Sequence, residues 1–303
     1  MSEKLNIVNL DDLAKIASSG ATININISGD VINVIGNNNV VKSTTGTGLN
    51  TQEGVYNDYV VNAAKHTPEE LHAYPTTNNE KTCIHSFNTL AGDMSAAYDG
   101  LQATQVDILA AAAAAVGNED LIKPTCKHNC PGCYAKRMTR YPSTFMHFID
   151  NTILVNSGMY NTIVNDLCSH IERSNVDVFR FHDSGDIPNL AYFENVIIKC
   201  VDRCPDCMFY LFTKEVDILK AYEAKTGRVI LDIPNLKINI SAWSGMCDDI
   251  PEGYDIYYYD VEKNSSLPHC PAYNIDGKKT GVTCRECKRC FTKGKSTACY
   301  PHG

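Results

Sequence analysis

No stretch of 18 apolar residues occurs in the chain, so no helical membrane span is expected. The opening Met1-Ser-Glu-Lys has no apolar segment behind it, so no secretory signal is expected either. Positive charge is in deficit: 27 Lys and Arg against 35 Asp and Glu give 27 − 35 = −8. A broad basic face for duplex DNA is therefore not the first expectation. Charged residues make up only 20% and apolar residues 44% of 303 residues. That balance argues against global disorder and allows a substantial core.

What the chain does have is cysteine, 14 in 303 residues. The figure is high for a reduced compartment yet below that of a disulfide scaffold. With no expected leader and an ample core, clustered thiols point to metal or iron–sulfur ligation in the cytoplasm.

Residues 1–50 are expected to form an appendage. Asn9 to Ala17 has helical spacing, and Ile23, Ile25 and Ile27 alternate as one strand of a hairpin returning through Val31 to Ile35. Residues 51–80 follow as a linker. Residues 81–267 alternate strands with helices, the signature of parallel strands with helical crossovers. The strands are expected at Thr82–Leu90, Val176–His182, Met208–Thr213, Leu236–Ala242 and Asp255–Val261. The helices are expected at Ala103–Val116, Pro142–Ser174, Leu190–Val201 and Val216–Ala224. Residues 268–303 show little periodicity and read as a metal-pinned tail.

Cys126-Lys-His-Asn-Cys130-Pro-Gly-Cys133-Tyr134 has C-x3-C-x2-C spacing. Three thiolates on one tight loop can hold three irons of a [4Fe–4S] cube and leave the fourth open. Zinc, with His128 or a remote cysteine as fourth ligand, is the alternative. About 50 residues later an apolar strand runs into Ser184-Gly185-Asp186, a small-residue turn followed by a carboxylate. Phe209 to Lys214 and Lys237 to Ser244 read as later strands ending in Thr213, Lys214, Ser241 and Ser244. In barrel folds such strand-end groups line the site.

This order of motifs resembles the radical S-adenosylmethionine (SAM) superfamily. Over residues 82–299 it resembles a little-characterised group of phage- and plasmid-associated proteins within it, known by gene-product numbers. The resemblance implies an α/β fold, a partial (β/α) barrel of radical SAM type. It implies that Cys126, Cys130 and Cys133 carry a SAM-binding [4Fe–4S] cluster whose electron releases a 5′-deoxyadenosyl radical. It also implies that Tyr134, Ser184, Gly185, Asp186, Thr213, Lys214, Ser241 and Ser244 contribute to the cofactor site. Ser-Gly-Asp departs from the superfamily's Gly-Gly-Glu turn. The resemblance names no substrate.

A second set, Cys270, Cys284, Cys287 and Cys290, can close around a second [4Fe–4S] cluster or around zinc, with Cys299 an alternative ligand. A third set, Cys200, Cys204 and Cys207, repeats the C-x3-C-x2-C spacing. It follows the Ser-Gly-Asp turn instead of preceding it, so it reads as structural thiols, with an extra metal site or the catalytic triad itself as the alternatives. Cys83, Cys168 and Cys247 read as isolated core residues. His182, Asp183 and His269 are at most site-lining. Residues 276–303 carry seven Lys and Arg against Asp276 and Glu286, with Tyr273, Phe291 and Tyr300 interleaved. That mix fits a phosphate-bearing substrate or single-stranded nucleic acid, or simply balances cluster charge. The expectation is a radical SAM enzyme acting on a small-molecule, peptide or nucleotide substrate, served by an electron donor such as flavodoxin or ferredoxin. The rival is a zinc- or iron–sulfur-stabilised phage-type binding protein without catalysis.

Overall fold

The computed structural model describes the strand backbone at residues 22–27, 30–35 and 42–43. It also describes residues 67–77, 82–92, 109, 112, 116–128, 130, 133, 135, 142–243 and 250–301. The expected helix at Asn9–Ala17, and Tyr134, Ser244 and Cys247, lie outside these residues. The chain divides into two compact units, Met1–Lys65 and His66–Gly303.

The first unit is an antiparallel meander of β1 (Thr22–Ile27), β2 (Asp30–Ile35) and β3 (Lys42–Ser43). Pairing sets Ile23 opposite Val34 and Ile25 opposite Ile32, as strict alternation demands.

The second unit is a mixed α/β structure around one open sheet of seven strands. In chain order these are β4 (Pro75–Thr76), β5 (His85–Phe87), β6 (Val178–Phe181), β7 (Met208–Thr213), β8 (Leu236–Trp243), β9 (Asp255–Tyr259) and β10 (Thr297–Cys299). From β5 to β10 every neighbouring pair is parallel, and each strand lies beside its predecessor in sequence. β4 pairs antiparallel with β5 at one edge. The longer helices among the described residues are α1 (Pro142–Asn156), α2 (Tyr160–Arg173), α3 and α4 (Val216–Thr226). α3 runs from Leu190 to Arg203 and contains a π-helical stretch at Phe193–Ile198.

The register separates two faces. Phe179, Phe181, Phe209 and Leu211 share one face and are wholly buried. His85 belongs to that face and meets His170 of α2. The other face carries Ser86, Arg180, Tyr210 and Lys237 in one cross-strand row. Buried polar groups need partners. The tail supplies them: Lys237 Nζ donates to the carbonyls of Arg289, Thr292 and Lys295, and Asn239 donates to that of Cys290. Cys284, Cys290 and Phe291 pack on Ile84, Val178 and Tyr210. The tail therefore lies on the polar face of the sheet and contributes β10 at its edge.

Two expected elements differ substantially in extent, and β10 adds a strand to the expected set. The apolar period of 142–174 runs unbroken through two helices, because Gly158 at φ +73° ends α1 and Met159 N donates back to Leu154 O at 3.0 Å. The Thr82–Leu90 strand contracts to His85–Phe87. Its flanks leave the ladder to serve side chains, as where Asn151 binds the carbonyl of Asn88. β10 had no periodic signal, since three residues are too few to show one.

Candidate metal centres at the strand ends

The parallel strands all finish at one edge, and the first cysteine loop and the Ser-Gly-Asp turn meet there. Cys126 forms a bridge with Ala91, just beyond β5. Cys126 Sγ and Cys130 Sγ both approach the His128 carbonyl, at 3.8 and 4.0 Å, and Cys133 N donates to Cys130 O. Burial pushes the Cys126 thiol up to about 11, with Asp186 adding to the rise and Lys214 opposing it. Cys130 is raised for the same leading reason. Lys214 faces all three thiols and Asp186, and its ammonium stands 5.8 Å from the Trp243 ring centroid.

The turn after β6 is anchored before any ligand arrives. Asn88 Oδ1 accepts from Asp183 N and Ser184 N, and Ser184 Oγ donates to Thr89 O. Gly185 adopts φ +95°. A Cβ there would fall 1.9 Å from Thr89 Oγ1 and 2.8 Å from Thr125 Oγ1. Asp186, 1% exposed, accepts from Ile187 N at 2.8 Å, Thr213 Oγ1 at 2.6 Å and Lys214 N at 3.2 Å. Lys214 Nζ lies 3.9 Å away. Thr213, wholly buried, thus ties the end of β7 to the turn. Ser241 stands on the polar face beside Tyr257 in register.

One residue at this edge, Glu215, escaped the sequence reading, and a second was only half seen. His128 Nε2 lies 3.1 Å from Glu215 Oε1, and donor atoms of His128, Asp186 and Glu215 fall within 4.8 Å of one another. His128 was visible only as a fallback zinc ligand. Glu215 sits one residue past a strand-end pair with no motif around it.

The tail cysteines also converge. Cys270, Cys284, Cys287 and Cys290 line one recess that is open to solvent. Burial pushes Cys290 up to about 12, with Cys284, Cys270 and Cys287 all near enough to contribute. Cys299 does not line the recess; it is buried in β10 with its sulfur 3.5 Å from Tyr300 O.

Residues 90–299 match the family described as Gene product 88. The chain belongs to that family. No curated protein and no solved structure matches it.

The family match spans all three cysteine sets and stops short of the first unit. Among the described residues of this Gene product 88 protein, no helix is long and apolar enough to cross a membrane. Several tail cations are engaged within the chain. Arg285 pairs with Asp177, Arg289 binds Ser296 O, and Lys293 donates to the carbonyls of Leu231 and Ile233. His269 pairs with Asp260 at 2.8 Å and stacks on Tyr300, while Asp183 pairs with Arg180.

His182 is buried at φ +59°, and among the described residues neither ring nitrogen has a hydrogen-bond partner. Burial drives its pKa down to about 4. A histidine depressed in the folded state stabilises the protein while neutral. That stability is complete above the unfolded value near 6.5 and is lost as pH falls toward 4. The difference between the two values corresponds to about 3 kcal/mol. Urea midpoints measured from pH 7 to pH 4 should fall accordingly. His182→Asn, which tolerates the same backbone, should flatten the slope. An equally steep slope in that variant would show that other groups carry it.

Proposed function

We propose that this protein is a radical SAM enzyme whose partial (β/α) barrel holds a redox-active [4Fe–4S] cluster at Cys126, Cys130 and Cys133. The observation that carries the reading is topological. Six parallel strands stand in sequence order, the three-cysteine loop follows the first of them, and the Ser-Gly-Asp turn follows the second at the same edge. The donor set fits such a group. Three thiols from one loop leave one iron without a protein ligand, and Lys214 offsets the negative charge of the thiolates. When bound, the cluster would supply one electron for the reductive cleavage of SAM, toward hydrogen abstraction from an unactivated carbon.

The chain's own residues would do the rest. Ser184, Gly185 and Asp186 form a preset wall, with Tyr134, Ser241 and Ser244 as further contacts. Asp186 and Glu215 would face the ammonium group of SAM, and Lys214 its carboxylate. Thr213 would hold Asp186 in place. The tail recess would hold a second cluster saturated by Cys270, Cys284, Cys287 and Cys290, or one zinc. Lying on the polar sheet face, it would pass electrons or close off the substrate space. The substrate is a small molecule, peptide or nucleotide, and flavodoxin or ferredoxin would supply electrons.

A binding protein stabilised by metal is the second reading. It draws on the His128–Asp186–Glu215 set, whose nitrogen and oxygen donors suit a single divalent ion. Anaerobic reconstitution, an ultraviolet–visible spectrum and a SAM cleavage assay under dithionite separate the two. Broad absorption near 400 nm with 5′-deoxyadenosine release is the enzyme result. Zinc alone, with no SAM cleavage, is the binding-protein result.

Asp186→Asn is expected to weaken SAM binding about 10- to 150-fold, the effect of losing a charge-assisted hydrogen bond of roughly 1.5–3 kcal/mol. Calorimetric titration of the reconstituted variant measures it, alongside its melting temperature because Asp186 also ties β7. An unchanged dissociation constant removes Asp186 from the SAM site.

A further inference from the structure

Cys168 was expected to be an isolated core residue, and Cys200, Cys204 and Cys207 to be structural thiols. The fold brings all four together from separate elements. Cys168 lies on α2, Cys200 in the last turn of α3, Cys204 at the end of that helix, and Cys207 immediately before β7. Their exposures are 0%, 0%, 6% and 2%. α2 packs against the last turn of α3, which sets Cys168 near enough to interact with the Cys200 and Cys204 thiols, and Cys207 near enough to interact with Cys168 and Cys204.

The backbone around them is a rigid knuckle. Cys204 N donates to Cys200 O at 2.9 Å, and Cys207 N to Cys204 O at 3.1 Å. Asn235 Nδ2 donates to the carbonyls of Val201, Cys204 and Cys207, so one side chain fixes the whole loop. Pro205 and Asp206, between two buried cysteines, are exposed, which leaves a short path for an ion. None of the four is in a disulfide.

Core packing alone gives no reason for four sulfurs to meet. A thiol is a weak donor and a small apolar body, and Val or Ala fill such space without reactive chemistry. Four thiols from three elements at one buried point are what a closed tetrahedral thiolate site requires. Arg203 offsets part of the remaining negative charge.

We propose that Cys168, Cys200, Cys204 and Cys207 form a third metal site, which holds one zinc ion and clamps α2 to the corner between α3 and β7. Binding breaks four S–H bonds, forms four Zn–S bonds and delivers four protons to solvent, with no change in oxidation state. Among the described residues no three of these sulfurs lie within 4.8 Å of one another. Sulfurs around one zinc stand about 3.8 Å apart, from Zn–S distances near 2.3 Å. The thiols therefore swing inward about their χ1 bonds as the ion enters. A single ion suits sulfurs gathered on one small buried knuckle better than a four-iron cube, which holds its thiolates farther apart. The site has no open position, so its role is structural.

The test uses the full chain produced with zinc in the medium, and zinc is counted by mass spectrometry of the metal. A variant with the triad and the four tail cysteines replaced by serine should keep about one zinc per chain. Adding Cys204→Ser and Cys207→Ser should abolish it. In case the added changes prevent folding, cobalt(II) is titrated into the metal-stripped variant with the triad and the four tail cysteines replaced by serine. The expected spectrum has the d–d bands of a tetrahedral site and the charge-transfer intensity of four thiolates. Zinc lost with the triad or tail cysteines but kept in Cys204→Ser/Cys207→Ser overturns the proposal. So does a metal-free protein whose four thiols are all alkylated once denatured, or an intact mass showing a disulfide among them. None of these outcomes depends on whether the first site cleaves SAM.

Discussion

Gly185→Ala is expected to cost about 2–5 kcal/mol of stability, from left-handed backbone strain and overpacking together. The added methyl has nowhere to go. Its position lies 1.9 Å from Thr89 Oγ1, and that hydroxyl is bonded to Thr125 Oγ1 at 2.7 Å. Moving Thr89 would disturb the ladder-like bond from Thr89 N to Ser184 O, and moving Thr125 would release Asp186 N. Gly227, at φ +68° with nothing within 4 Å of an added Cβ, is the control. Gly227→Ala should cost only about 1–2 kcal/mol, the backbone part alone. Urea unfolding of both variants measures the difference. Equal losses at the two positions would show that the turn is not sterically locked. The glycine of the Ser-Gly-Asp turn is thus required by packing against the loops after β5, whatever it also offers to a ligand.

Lys237→Ala should be at least as damaging, by about 3–5 kcal/mol, because it removes one partner of a buried ion pair. Lys237 is almost wholly enclosed, with Asp255 Oδ2 at 3.2 Å and three tail carbonyls on its ammonium. Burial lowers its pKa, and Asp255 opposes that fall. Without the ammonium, Asp255 keeps only its bonds from Gly294 N and Ser296 Oγ, and the three carbonyls lose their shared donor. The expected result is a tail cut by protease beyond residue 268 and stripped of its metal, while iron at the triad remains. A variant whose tail stays resistant and metal-loaded would show that the cysteines, and not the lysine, order this segment.

Much of this organisation could be read from residue order. β7 shows as an unbroken apolar run with polar residues just past it, and its boundaries match because both faces of a central parallel strand are buried. The three cysteine sets could be read from spacing alone, as could the turn at Ser184–Asp186. What could not be read was long-range. Cys168 stands 32 positions before Cys200, and only the packing of α2 against α3 joins them. Lys237 reads as a strand residue with an awkward charge until the tail is laid over it. Glu215 and His128 meet across 87 residues with no local pattern to mark either. The π-helical stretch of α3 has the same apolar spacing as an α-helix and leaves no separate trace in the sequence.

Cys126, Cys130 and Cys133 are proposed to hold the catalytic cluster, and iron counting with activity on one variant tests that assignment most directly. The chain is reconstituted anaerobically with and without Cys126→Ala, Cys130→Ala and Cys133→Ala together. By site stoichiometry, the parent should carry about eight irons if the tail also holds a cube, or about four if the tail holds zinc. The variant should carry about four fewer than the parent and release no 5′-deoxyadenosine from SAM under dithionite. A variant that keeps the parent's iron content and still cleaves SAM would contradict the account.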